Sequence, residues 1–181
     1  VISNAAVLLF GGIETTEGMI ANAVWHLLSH PEQLARVNAS PGLLANAVEE
    51  SLRLEPAAAI VDRYATADIE LAGAPMRCGE LVRVSIAGAN RDPELFADPD
   101  SFDVARNNAR RHLAFAHGPH ACIAMHLARL EANTALERLL RRLPALRLDP
   151  AAPSAPRGLV FRKPPELRVL WTPQSTSAAW V

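Results

Sequence analysis

The chain has 181 residues, half of them hydrophobic, and a formal net charge of −1. That length can bury a substantial core, and the near-zero charge excludes the basic footprint of a nucleic-acid or polyanion partner. Two cysteines in segments with different predicted roles exclude a disulfide framework and suit a reducing cytoplasm.

Residues 1 to about 28 predict one helix, with Val24, Leu27 and Leu28 toward a core. Ala5 to Phe10 is apolar but too short to span a membrane, and no signal-peptide pattern is legible. Gly11 and Gly12 fall inside this helix, where each costs about 1 kcal/mol relative to alanine. They make sense where a small side chain must leave room. His26 and His30, one turn apart near the helix end, read as surface residues suited to the dipole.

His30-Pro31 ends the helix, and Pro31 opens a short second one. Pro41 to Leu54 predicts a third helix, stopped by Pro56, with Glu50 and Arg53 facing each other at i,i+3. Between 57 and 86 the alternation predicts short strands at Ile60-Val61, Ile69-Glu70-Leu71 and Leu81 to Ser85. Gly73 and Gly79 mark turns, and Cys78 is a turn residue. A loop-rich stretch from Asn90 to Arg111 follows, punctuated by Asp-Pro dipeptides that start or end turns.

Cys122 to Leu143 predicts a long helix whose buried side is Leu127, Leu130, Leu136, Leu139, Leu140 and Leu143. Arg138, Arg141 and Arg142 gather toward its C-terminus, which suits the dipole. Residues 150–157 form a Pro/Ala-rich loop. Leu159-Val160-Phe161 and Leu167 to Leu170 read as final strands, and 174–181 as a frayed tail.

Cys122 follows a tight glycine/proline loop and opens the predicted helix, a setting that favours thiolate. Four readings stand open on chemistry alone: a catalytic nucleophile, a zinc ligand, an axial ligand to haem iron, or an ordinary buried cysteine. His117, His120 and His126 could supply a base, but nothing marks an oxyanion hole. Cys122 and His126 share a helix face, yet the paired C-x-x-C spacing usual in structural zinc sites is missing.

Phe115, Gly118, His120 and Cys122 stand in the order F-x-x-G-x-[RH]-x-C, which resembles the haem-ligand loop of the cytochromes P450. The resemblance implies that Cys122 is the proximal thiolate, that Phe115 packs beside it, and that His120 meets a haem propionate. Two positions depart from the pattern. Ala116 stands where bacterial members often have glycine, and Ala124 replaces the usual glycine after the cysteine, for which a slightly tighter fit against the haem face is the expected cost.

Three further segments resemble the family in the same order. Gly11-Gly12-Ile13-Glu14-Thr15-Thr16 is similar to the helix crossing the distal haem face, which implies that Glu14 and Thr15 relay protons. Glu50 and Arg53 resemble the E-x-x-R pair, and Arg106 stands where the family's third member joins them as a structural triad. Arg63 matches a propionate-binding arginine. Asn90-Arg91-Asp92-Pro93 and Phe96 to Phe102 resemble the segment leading into the meander. His112, just before the cysteine loop, is implied as a further propionate contact.

The resemblance therefore implies a mainly α fold with small β-sheets, the C-terminal haem-ligand half of the cytochrome P450 fold. Residues 1–173 would form this partial domain, opening inside the oxygen-binding helix, with roughly the N-terminal half of the family domain outside the chain. The implied cofactor is haem b (iron protoporphyrin IX). The implied activity is a cytoplasmic haem-thiolate monooxygenase that takes electrons from a ferredoxin- or flavodoxin-type donor and inserts one oxygen atom into an organic substrate. Ala57 to Ile60 and Val160-Phe161 fall where family members contact substrate, so an apolar substrate or plain core packing is expected there. Two alternatives stand beside this reading: a truncated fragment that is not an active enzyme on its own, and a haem-thiolate isomerase or dehydratase that does not use dioxygen.

Overall fold

The computed structural model describes residues 2–173; the tail expected at 174–181 lies outside them. Three helices form its frame: α1 (Ile2–Ser29), α3 (Leu44–Leu54) and α5 (Met125–Arg142). The short α2 (Pro31–Ala39) starts on proline, as expected, and a 3-10 turn at Pro41–Leu43 leads into α3. The predicted third helix is thus a 3-10 turn followed by an α-helix.

The core lies where the three helices meet. Met19, Ala23 and Leu27 of α1, each one turn apart, face Val48 and Leu52 of α3 and Ala128, Ala132 and Leu136 of α5. Val24 and Leu28 are buried as expected. The buried stripe of α5 differs from its leucine pattern. Leu127 and Leu130 are 56% and 63% exposed, while the two alanines take the inner positions. Small side chains allow α1 and α3 to approach α5 closely, so packing distance and not hydrophobicity selects the inward face. Leu139, Leu140 and Leu143 pack on the core from its edge.

Among the described residues, three two-stranded antiparallel sheets flank the helices. Strands β1 (Ile60–Tyr64) and β4 (Leu81–Ser85) pair with Ile60 opposite Ser85. Strands β2 (Ile69–Leu71) and β3 (Ala74–Met76) form a hairpin turned by Ala72 and Gly73, both at positive φ. β3 lies outside the expected strands, and it contains Pro75, a residue that cannot donate to a ladder. It is tolerated here because the strand has a neighbour on one side alone. A short α4 (Ile86–Ala89) follows β4, with the Ser85 hydroxyl accepting a cap bond from the Gly88 N–H.

The last sheet joins β5 (Arg147–Leu148), also unanticipated, to β6 (Val169–Leu170). The strand expected at Leu159-Val160-Phe161 does not form. Phe161 makes one isolated bridge to Ala58, and Arg157 makes another to Lys163, so 157–163 is a hairpin-like loop. None of the helices is long and apolar enough to cross a membrane among the described residues.

Candidate functional site

Cys122 sits on a loop that its own backbone closes. The Cys122 N–H donates to the Phe115 carbonyl at 2.9 Å, across a 3-10 turn at Gly118–His120. Gly118 needs its glycine, with φ at +68°. Ala116 also lies at positive φ, +57°. The cost of alanine there is backbone strain. The helix begins three residues after the cysteine, at Met125, so Cys122 precedes the first turn instead of opening it.

The loop faces the first helix across a cavity of about 430 Å³. One wall is α1, through Val7, Leu8, Gly11, Gly12, Thr15 and Thr16; the other holds Phe115, Ala116, His120, Cys122 and Leu127. Ala57, Ala58 and Val61 line it between them. Leu127, expected in the core, is turned to this cavity. A Cβ placed on Gly11 or Gly12 would meet no protein atom within 4 Å, so these glycines leave open space and do not serve a helix contact.

The structure places the expected site residues differently. Thr15, Phe115, His120 and Cys122 come together on the cavity wall. Glu14 does not line it; its carboxylate pairs with Lys163 Nζ at 3.1 Å. The Thr15 hydroxyl donates to the Gly11 carbonyl one turn back. Arg63 lies exposed on β1, its Nη1 on the Asp62 carbonyl at 2.8 Å. It is two residues beyond Val61, hence on the same strand face as that wall residue.

His112 has a different placement from the one expected. It is buried, its Nε2 donates to Glu49 Oε2 at 3.0 Å, and its Nδ1 accepts the Ala114 N–H at 3.1 Å. Both ring nitrogens are committed inside the protein, which leaves neither for a propionate.

Glu50, Arg53 and Arg106 meet behind the site. Arg53 forks onto Glu50 at 2.8 and 2.9 Å, and Arg106 Nε donates to Glu50 Oε1 at 2.8 Å. The Glu50 and Arg53 side chains are fully buried. The remaining guanidinium donors collect loop carbonyls: Arg53 those of Asn90, Pro99 and Ser101, Arg106 those of Ala97, Asp98 and Ser101. The triad thus fastens the 90–106 loop to α3.

The adjacent Glu49 is a second hub that sequence reasoning missed. Arg129 of α5 donates to it at 2.7 and 3.0 Å, beside the His112 bond. Burial raises its pKa, but the bonds from His112 and Arg129 outweigh burial and bring it down to about 2. The Arg129 guanidinium also lies over the Phe115 ring, 4.6 Å from its centroid. Glu49 therefore links α3, α5 and the cysteine loop. Its partners lie 63 and 80 residues away, so no local signal could reveal it.

As a donor set, the cavity offers a single soft thiol between apolar walls, with His120 beside it. That suits the flat, apolar, anionic-edged iron porphyrin implied by the resemblance. It does not suit zinc: no group of three His, Cys, Asp or Glu side chains is placed to hold a metal among the described residues.

Comparison with known proteins points the same way. The family model described as Cytochrome P450 matches residues 42–170. The chain is 44% identical over 146 residues to the biotin biosynthesis cytochrome P450 of Bacillus subtilis, covering 81% of this chain and 37% of that protein. It is 46% identical over 167 residues to the cytochrome P450 monooxygenase PikC of Streptomyces venezuelae, covering 92% and 39%. The structure of P450BioI, in complex with acyl carrier protein ligated to hexadec-9Z-enoic acid, matches with a TM-score of 0.85 and 43% identity over 92% of this chain and 43% of that one. CYP109E1 from Bacillus megaterium, in complex with testosterone, matches with a TM-score of 0.88 and 31% identity over 93% and 47%. The chain spans about two-fifths of the length of the curated relatives it matches.

Proposed function

The chain belongs to the cytochrome P450 family, and from that premise we propose that it carries the haem-ligand part of a haem-thiolate monooxygenase. The observation that carries the reading is Cys122 on its closed loop, facing the Gly11-Gly12 pair across an apolar cavity. The proposed cofactor is haem b. When bound, it supplies dioxygen activation: R–H, O₂, two electrons and two protons give R–OH and water.

The chain's own residues have distinct parts in this reading. Cys122 Sγ ligates the iron as thiolate, and the Phe115 ring keeps water from the sulfur. His120 and Arg63 donate to the propionates. Gly11 and Gly12 would leave room for dioxygen and substrate beside the bound group, because neither carries a side chain into the open space. Thr15 holds a hydroxyl proton at Oγ1, and Glu14, the residue before it, supplies the carboxyl group from which that proton is replaced. The wall residues Leu8, Ala57, Ala58 and Val61 exclude water and favour a small apolar organic substrate. The electrons come from a ferredoxin- or flavodoxin-type donor in the cytoplasm.

The carbon-monoxide difference spectrum of the hemin-loaded, reduced protein tests this. A Soret band at the strongly red-shifted thiolate position, lost in Cys122→Ala, is expected. A band at the ordinary histidine-ligated position, unchanged by Cys122→Ala, overturns the assignment.

A further inference from the structure

We infer that Lys163 is a positioning residue for the Glu14–Thr15 proton relay: its ammonium clasps Glu14 and Glu17 together and sets where the Glu14 carboxylate lies. The inference rests on the relay proposed above.

Glu14 and Glu17 stand one turn apart on α1, facing the 157–163 loop. Lys163 Nζ lies 3.1 Å from Glu14 Oε1 and 3.0 Å from Glu17 Oε2. An ammonium has three N–H donors, so it holds both carboxylates and keeps one when the other leaves. Thr15, the neighbour of Glu14, lines the cavity; Glu14, in this pairing, does not. Lys163 thus draws the carboxylate to the cavity's edge, and Glu17 gives the lysine a second partner during any excursion of Glu14 toward Thr15.

The lysine is the fixed member of the cluster. Its backbone is bridged to Arg157, with N–H···O distances of 3.0 and 3.3 Å. The preceding carbonyl, of Arg162, accepts Asn22 Nδ2 of α1 at 2.9 Å, and the Arg162 guanidinium clasps Glu55. Gly18 permits the approach: a Cβ there would lie 3.1 Å from the Ala57 Cβ and 3.7 Å from the Lys163 Cβ. Two residues before, Phe161 packs edge-on against Phe10, with centroids 5.5 Å apart. The loop that carries Lys163 is therefore docked along α1 on both sides of Glu14.

The test uses the haem-loaded protein with Lys163→Met, Lys163→Arg, Glu17→Gln and Glu14→Gln. Lys163→Met should lower kcat about tenfold or more with KM within about twofold. It should enlarge the solvent deuterium isotope effect, as proton delivery becomes limiting. Lys163→Arg should restore both values. Glu17→Gln should change the isotope effect in the native background and add nothing to Lys163→Met; it carries the same test should Lys163→Met fail to load haem. A crystal structure of Lys163→Met should show the Glu14 carboxylate moved, a readout independent of turnover. A native isotope effect and an unmoved Glu14 in Lys163→Met, with Glu14→Gln impaired, overturn the inference and leave the relay standing. A native isotope effect in Glu14→Gln, with an intact thiolate-type spectrum, overturns the relay and the inference together.

Discussion

Ala116 shows how much one backbone angle decides. At φ +57° its Cβ crowds the following carbonyl, a strain glycine does not have. Ala116→Gly should therefore stabilise the protein by about 1 kcal/mol, a rise of about 2–4 °C in unfolding midpoint, measured by calorimetry. The departure from the family pattern was legible in the sequence, but its meaning was not. The F-x-x-G-x-[RH]-x-C spacing does not say which residue of the loop turns left-handed. His112 makes the same point from the other side. Its position before the cysteine loop invited a ligand role, and its burial against Glu49 gives it a structural one. Lys163 had no sequence signal at all, because both its partners come from α1, nearly 150 residues earlier.

Among the elements, α3 carries two adjacent carboxylates with different duties. Glu50 binds the arginines that gather the 90–106 loop, and Glu49 binds α5 and the residue before the cysteine loop. Neighbours on a helix point about 100° apart, so the two acids reach different partners from a fully buried segment. An exposed Glu–Arg pair at i,i+3 is worth only about 0.2–0.5 kcal/mol. Here burial changes the scale. Glu50→Gln leaves the Arg53 charge uncompensated in the interior and should cost about 3–5 kcal/mol. Urea unfolding measures the loss, and limited proteolysis should cut the 90–106 loop faster. Arg53→Lys should not be silent, since an ammonium cannot reproduce the fork onto Glu50.

For the molecule as a whole, the buried ionisable groups set the acid limit of stability. His26 was expected at the surface. It is instead 4% exposed, stacked on Phe102 with centroids 4.9 Å apart, and it shares a hydrogen bond with Ser51 Oγ. Burial, aided by His30 and Arg91, lowers its pKa to about 3. A histidine held below its ordinary value of 6.5 contributes stability above that value, lost as pH falls toward 3. Glu49, lowered from 4.5 to about 2, contributes stability above 4.5 that is lost as pH falls toward 2. Urea midpoints should therefore fall continuously from near neutrality downward, with His26 acting first. His26→Gln should be less stable at pH 7 and flatten the upper part of that slope. A midpoint unchanged between pH 7 and pH 4 in the native protein would contradict this placement of His26.

The sequence alone determined the order of the three frame helices, the cysteine loop and the family. Each rests on local information: proline and glycine positions, helical period, and residues at fixed spacing within one segment. It pointed to the Glu50–Arg53 pair because the two lie on one helix face. The tertiary structure alone decided which face of α5 is inward, that His112 and His26 are buried, and that Glu49 and Lys163 are hubs. These depend on helix approach and on partners far apart in the chain. Burial turns the contacts of Glu49, Glu50 and Arg53 from a few tenths of a kcal/mol into several, and no local pattern records it.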